Sequence, residues 1–304
     1  RPDPKYGFAF QENYRGHMCM GDGVPWIPLQ LDEYGYRLPA TSPAREGTAP
    51  ADVVLVGGAS MAFSYGLPDD QTLHAQVARH ARTNLLMRNA AWPGFGTHLC
   101  WHAYLDRLEG RLATRAVLLV QYGDVPDAIP EDPATLPVPP TREELFSTFD
   151  DLVVPQRGVI ARSLGLGNNP SFLLAPVVRM CDRGWARLGR TAPDPAIVRS
   201  EPTLPEKLAR WGRFVSLVEG HLRARGASLL VVFLPRQGAP KEYYGTFRTS
   251  VPPGVRQVDV HRDLHDGFAS LGWIAAGHFG PRQAAAIGRR LAPEVDRLLA
   301  AGGK

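Results

Sequence analysis

The stretch Val53-Val54-Leu55-Val56-Gly57-Gly58-Ala59-Ser60-Met61-Ala62-Phe63-Ser64-Tyr65-Gly66 sets the reading of the whole chain. Four consecutive apolar residues closed by two glycines have the length and composition of a parallel strand buried on both faces. The glycines break that strand into a turn that presents one hydroxyl, Ser60, at its carboxyl end, where open α/β sheets gather their ligands. Ser60 is therefore the first candidate nucleophile. A small hydroxyl residue at a strand-to-helix turn also suits a plain helix cap.

Outward from this stretch, strand and helix patterns alternate. Residues 72–82 predict a helix, 85–91 a second strand, 98–108 a second helix and 116–122 a third strand. The alternation then stops. Residues 124–205 carry a proline cluster (Pro126, Pro130, Pro133, Pro137, Pro139, Pro140), a short helical piece over 143–152 and an apolar stretch over 172–180. With no clear second core, this reads as an insertion or lid on the sheet. The 172–180 stretch suits core packing better than an acyl-binding groove.

Leu208, Trp211, Val215, Val218 and Leu222 then recur at helical spacing, with Gly226 as a stop. Residues 229–234 and 255–260 predict strands four and five. The last helix spans 281–299, with Pro281 in its first turn and Pro293 placed to bend it. The expected architecture is α/β: a mostly parallel five-stranded sheet between helices, a three-layer α/β/α arrangement over residues 51–304. Residues 1–50, rich in Pro, Gly and aromatics without periodicity, predict an extended segment packed on that domain.

Bulk properties narrow the function. The chain has 304 residues, 44% of them hydrophobic and 21% charged, which is ordinary for a globular protein. No run approaches the roughly 18 apolar residues of a membrane span. The first residue is Arg1 rather than Met, so an upstream segment, which could include a signal peptide or anchor, is expected to have been cleaved or left out. The net charge is +4, and the arginines are spread along the chain rather than clustered, which argues against a nucleic-acid partner. Three distant cysteines, Cys19, Cys100 and Cys181, fit neither a disulfide framework nor a four-cysteine zinc site, although a single disulfide remains open.

An acyl-transfer site needs a nucleophile, a base, a group that orients the base, and donors facing the oxyanion. His278, in the glycine-flanked loop Gly277-His278-Phe279-Gly280-Pro281 just before the last helix, is the best candidate base. Donors are available from the Ser60 amide and from the turn Pro93-Gly94-Phe95-Gly96 after the second strand. The third strand ends at the same edge in Tyr122-Gly123-Asp124. His98 and His102, and separately His261 and His265, stand four apart as zinc ligands do, but neither pair encloses the glutamate of a metalloprotease motif, and no metal is expected. Gly57-Gly58 is not followed by a Lys-Ser/Thr pair, and the spaced glycines of a dinucleotide fingerprint are missing, so no nucleotide cofactor is expected.

The order of these elements resembles the SGNH/GDSL hydrolases. The likeness lies in Ser60 after strand one, the 89–96 turn after strand two, the Gly123 turn after strand three, and His278 before the terminal helix. Tyr65-Gly66-Leu67-Pro68-Asp69-Asp70 and Asp32-Glu33-Tyr34-Gly35-Tyr36-Arg37 look like segments of bacterial members. The opening Arg1-Pro2-Asp3-Pro4-Lys5-Tyr6-Gly7 looks like the stretch that follows an amino-terminal membrane anchor in some of them.

The resemblance implies an SGNH/flavodoxin-like fold, Ser60 as nucleophile, His278 as general base, and an oxyanion hole drawing on the amides of Ser60 and Gly94. It further implies an esterase or O-acyltransferase, without a cofactor, acting on small-molecule or carbohydrate esters, acetyl groups among them, in a secreted, periplasmic or membrane-anchored setting; a cytoplasmic setting is the alternative.

Three features depart from the family pattern. Gly58-Ala59-Ser60 replaces Gly-Asp-Ser. Asp124 takes the place of the oxyanion-hole asparagine, where an ionised carboxylate accepts hydrogen bonds but cannot donate them. Ala275 and Ala276 occupy the places where an aspartate would orient the histidine, leaving Asp263, Asp266 or a backbone carbonyl as substitutes. The alternative these departures raise is a catalytically impaired member that serves as a binding or scaffold module for glycans or an acyl-transfer assembly.

Overall fold

The structure, a computed structural model, describes residues 2–3, 5–18, 26–43, 49–123, 129–135, 203–274 and 277–301. The chain divides into two compact units, one of Arg1–Met20, Val24–Pro139 and Thr203–Lys304, the other of Gly21–Gly23 and Pro140–Pro202. All described residues belong to the first. The helix expected over 143–152 and the apolar stretch over 172–180 lie outside the described residues.

Three short pieces of antiparallel pairing open the chain. β1 (Pro2–Asp3) pairs with β2 (Gly7–Phe8), and β3 (Arg15–Met18) with β4 (Ile27–Gln30). β5 (Arg37–Thr41) joins the main sheet. The core follows as β6 (Ala51–Gly57), α1 (Ala59–Phe63), α2 (Leu73–His80), β7 (Leu85–Ala90), α3 (Thr97–Arg107) and β8 (Thr114–Gln121). It resumes with α4 (Leu204–Arg223), β9 (Ser228–Phe233), α5 (Gly245–Ser250), β10 (Arg256–Asp259), α6 (Val260–Phe268), the hairpin of β11 (Trp273–Ile274) and β12 (His278–Phe279), and α7 (Pro281–Ala301).

The result is an α/β architecture with a six-stranded, mostly parallel sheet in the order β10-β9-β8-β6-β7-β5. β6 through β10 pair in parallel, and β5 closes one edge antiparallel to β7. The sheet thus has one strand more than the five expected. The extra one, β5, comes from the amino-terminal segment, where only an extended stretch is expected from sequence.

Side chains alternate across the pleat, so each strand feeds two cores. Val53 and Leu55 pack with Val77 of α2 and with Ile287, Leu291 and Val295 of α7 on one face. Val54 and Val56 pack with Trp101 of α3 and with Trp211 and Val215 of α4 on the other. Val53 to Val56 and Val117 to Val120 are all completely buried, which accounts for their unbroken apolar runs.

Local signals fix the helix ends. Thr203 and Glu206 form a reciprocal capping box at the start of α4. Gly226, in the left-handed region at φ +69°, follows its end. α7 runs through Pro293 to Ala301. No helix among the described residues is long and apolar enough to cross a membrane.

Candidate active site

Ser60 lies in the first turn of α1, directly beyond the carboxyl end of β6. The chain bends there through three successive left-handed residues, Gly57 (φ +91°), Gly58 (φ +72°) and Ala59 (φ +47°). Glycine is required at the first two on grounds of space as well. A Cβ on Gly57 would come within 2.7 Å of the Val120 carbonyl oxygen and 2.6 Å of the Thr97 methyl, and one on Gly58 within 2.6 Å of Val120 Cγ1. At Ala59 the methyl is tolerated at the cost of left-handed strain, about 1–2 kcal/mol.

His278 arrives from the far end of the sequence on β12. Its Nε2 stands 2.9 Å from Ser60 Oγ, within hydrogen-bond reach across 218 positions of chain. The Tyr65 ring packs against the imidazole with centroids 5.6 Å apart. Ser60 and His278 are both partly exposed, so the pair is open to a reactant.

The histidine loop is held from several sides. Phe279 is buried among Phe268, Trp273 and Tyr122. Gly280 has no room for a side chain, since a Cβ would meet the Gly272 carbonyl oxygen at 2.4 Å. Gln283, fully buried, accepts from the Gly280 amide at 3.1 Å and donates to the Phe268 carbonyl at 3.2 Å. That is half of a capping box at the start of α7, and Gly280-Pro281-Arg282-Gln283 carried its sequence signature, with Pro at the first helical position and Gln at the third.

The serine turn is braced by buried polar groups from β5 and β7. Asn89, fully buried, donates to the Ala62 carbonyl at 2.8 Å, and its Nδ2 lies 3.2 Å from His74 Nδ1, while its own oxygen receives the Ala91 amide. With Nδ1 of His74 accepting, Nε2 carries the proton and donates to the Leu38 carbonyl at 3.0 Å. Burial pushes the His74 pKa down to about 3, in keeping with a neutral ring. Arg37 of β5, with its side chain completely buried, reaches the far end of α1. It donates to the carbonyls of Phe63, Ser64 and Leu67 and is paired with Asp69 at 2.7 Å.

The other expected site residues fall as follows. Gly94 (φ +79°) is exposed in the turn beyond β7, the strand adjacent to β6, and is surrounded by open space. Gly123 ends the described part of the turn beyond β8, its amide donating to Tyr244 Oη at 3.0 Å. Asp124 lies outside the described residues, as do Ala275 and Ala276.

Asp263 and Asp266, the expected substitutes for the histidine's orienting carboxylate, both engage other groups. Asp263 pairs with Arg290 at 2.7 Å, and Asp266 binds Lys241 and the ring of His265. Both lie on the exposed side of α6, where solvent and cations are the cheapest partners for a carboxylate.

The two histidine pairs bond backbone groups, with His98 and His102 Nε2 also 3.1 Å apart and His265 Nδ1 on Asp266. His98 and His102 share the Pro133 carbonyl, His261 bonds the Pro240 carbonyl and the Arg236 amide, and His265 the Ala239 carbonyl. Among the described residues no group of three His, Cys, Asp or Glu is arranged to hold a metal ion. Cys100 is buried, and burial pushes its thiol up to about 12, far from a reactive thiolate. Cys19 and Cys181 lie outside the described residues.

Neither a protein-family model nor a curated protein matches this chain.

Proposed function

We propose that the protein is a serine esterase or O-acyltransferase of the SGNH/GDSL type, with Ser60 as nucleophile and His278 as general base. One observation carries the reading: the 2.9 Å contact between Ser60 Oγ and His278 Nε2 at the carboxyl edge of a parallel sheet. Its support is the agreement between that contact and the family resemblance of the sequence, which paired the same two residues.

In this mechanism Ser60 Oγ attacks an ester carbonyl as its proton passes to His278 Nε2. The tetrahedral oxyanion is stabilised by the amides of Ser60 and Gly94. Its collapse breaks the ester bond, the imidazolium returns the proton to the departing alkoxide, and an acyl-Ser60 ester remains. Water or a second alcohol then attacks that ester with His278 again taking the proton. This releases a carboxylic acid or a new ester and restores the serine. Acetyl groups on small molecules or carbohydrates are the proposed substrates, following the resemblance.

The test is labelling by a fluorophosphonate probe together with turnover of an aryl acetate. Wild-type protein is expected to do both, and Ser60→Ala to lose at least about 10⁴-fold of each, the scale seen when a catalytic nucleophile is removed. Unchanged labelling or turnover in Ser60→Ala would overturn the assignment.

The runner-up, a binding or scaffold module, draws on the alanines at 275 and 276. A carbohydrate ligand bound at Ser60 without turnover, in the native chain and in Ala275→Asp and Ala276→Asp alike, would favour it. A large gain of esterase activity in either variant would favour the enzyme.

A further inference from the structure

We infer that Arg37 is a positioning residue for the nucleophile, acting from the amino-terminal edge strand through the carboxyl end of α1; this rests on the esterase reading above. A completely buried guanidinium is unusual, and this one is engaged on all its nitrogens. Nη1 donates to the Ser64 carbonyl at 3.1 Å and lies 3.4 Å from that of Phe63. Nη2 donates to the Leu67 carbonyl at 2.9 Å, and Nε and Nη2 converge on Asp69 Oδ1 at 3.1 and 2.7 Å. The guanidinium also lies over the Phe63 ring at 5.3 Å.

These contacts fall on the one turn that connects both reacting side chains. Ser64 is itself left-handed (φ +62°), and its amide donates to the Met61 carbonyl. The next amide, Tyr65, donates to the carbonyl of Ser60 at 3.0 Å, and the Tyr65 ring is the one that packs on His278. Holding the carbonyls of residues 63, 64 and 67 therefore fixes the backbone of Ser60 on one side and the seat of the imidazole on the other. The five residues of α1 are too few to hold their own geometry. A charged fork with planar, divergent donors can bind three carbonyls and a carboxylate at once, which a lysine ammonium cannot reproduce in shape.

Residues 32–37 and 65–70, the two segments that look like those of bacterial family members, thus meet through Arg37, which binds both Leu67 and Asp69. Asp69 holds the fork in place, with part of its side chain open to solvent. A displacement of the serine by about 1 Å is enough to cost on the order of 10²-fold in rate.

The experiment compares fluorophosphonate labelling of wild type, Arg37→Lys and Asp69→Asn, recording for each the endpoint, which counts competent folded sites, and the rate constant per titrated site. Arg37→Lys is expected to reach the same endpoint at least about tenfold more slowly. On an aryl acetate, kcat should fall while KM stays put. Asp69→Asn should shift both in the same direction by less.

If Arg37 serves only the stability of the fold, endpoints fall and rate constants per site remain those of wild type, which would overturn the inference. Should Arg37→Lys fail to fold, a folded Asp69→Asn labelling at the wild-type rate overturns it equally. Wild type that does not label at Ser60 would instead bring down the esterase reading, and this inference with it.

Discussion

Ser60 stands in a turn bent by three left-handed residues and held by buried polar groups, Arg37 and Asn89, whereas His278 stands on a two-residue strand held by aromatic rings and one glutamine. The serine side is crowded by backbone: the Val120 carbonyl leaves no space beside Gly57. The histidine side is crowded at Gly277 only by the tip of the Gln237 side chain, 2.8 Å from where a Cβ would sit. Rigid neighbours and compliant neighbours respond differently to the same added methyl. The backbone at Gly57 is therefore expected to be intolerant of an added methyl, as is Gly280 against the Gly272 carbonyl, whereas Gly277, just before the base, should yield locally.

The sharpest break in this contrast is Gly57→Ala. It must force an alanine into φ +91° against a carbonyl that belongs to the central sheet, and a loss of about 3 kcal/mol or more is expected in urea unfolding. Next is Gln283→Leu, which orphans the Gly280 amide and the Phe268 carbonyl. A loss of about 2 kcal/mol is expected, with a slower labelling rate because the strand bearing His278 loosens. Gly277→Ala should cost only about 1 kcal/mol, since Gln237 can swing aside and the left-handed φ of +73° is the remaining penalty. A Gly277→Ala loss as large as that of Gly57→Ala would erase the distinction between the two regions. Smallest is Ala59→Gly, which relieves left-handed strain against a gain in unfolded-chain entropy. It should raise stability by roughly 0.5 kcal/mol, read as a small upward shift in Tm.

The core strands were legible because Val53 to Val56, Val117 to Val120 and Leu230 to Phe233 are buried on both faces and must be apolar throughout. Ser60 and His278 were legible because glycines flank both, and the chain turns sharply where it must present a side chain. β5 was not. Arg37-Leu38-Pro39-Ala40-Thr41 lacks clean alternation, shifts register against β7 between Arg37 and Ala40, and carries a proline, as an edge strand can and an inner strand rarely does.

Arg37 itself was invisible for a related reason. An arginine in a loop-like segment ordinarily means a solvated surface, and only the fold brings the carbonyls of residues 63, 64 and 67 to it. The same holds for Asn89, whose amide finds its partners on α1 and α2 rather than on its own strand. Buried polar contacts between distant segments leave no periodic trace in sequence. The aspartates proposed to orient His278 illustrate the converse. Asp263 and Asp266 carry the acceptor chemistry that role needs, and the fold also gives them cationic partners, Arg290 and Lys241, that the sequence does not announce.

Pro39 also has a bearing on how these molecules behave in a crowd. A sheet whose outermost ribbon is regular offers a row of open amides and carbonyls on which another chain can polymerise, and proline together with a slipped register removes that template. The opposite border, β10, is only four residues long and gives a second molecule little to grip. The two margins of the sheet thus discourage fibre growth during the interval in which newly made chains are still finding their partners.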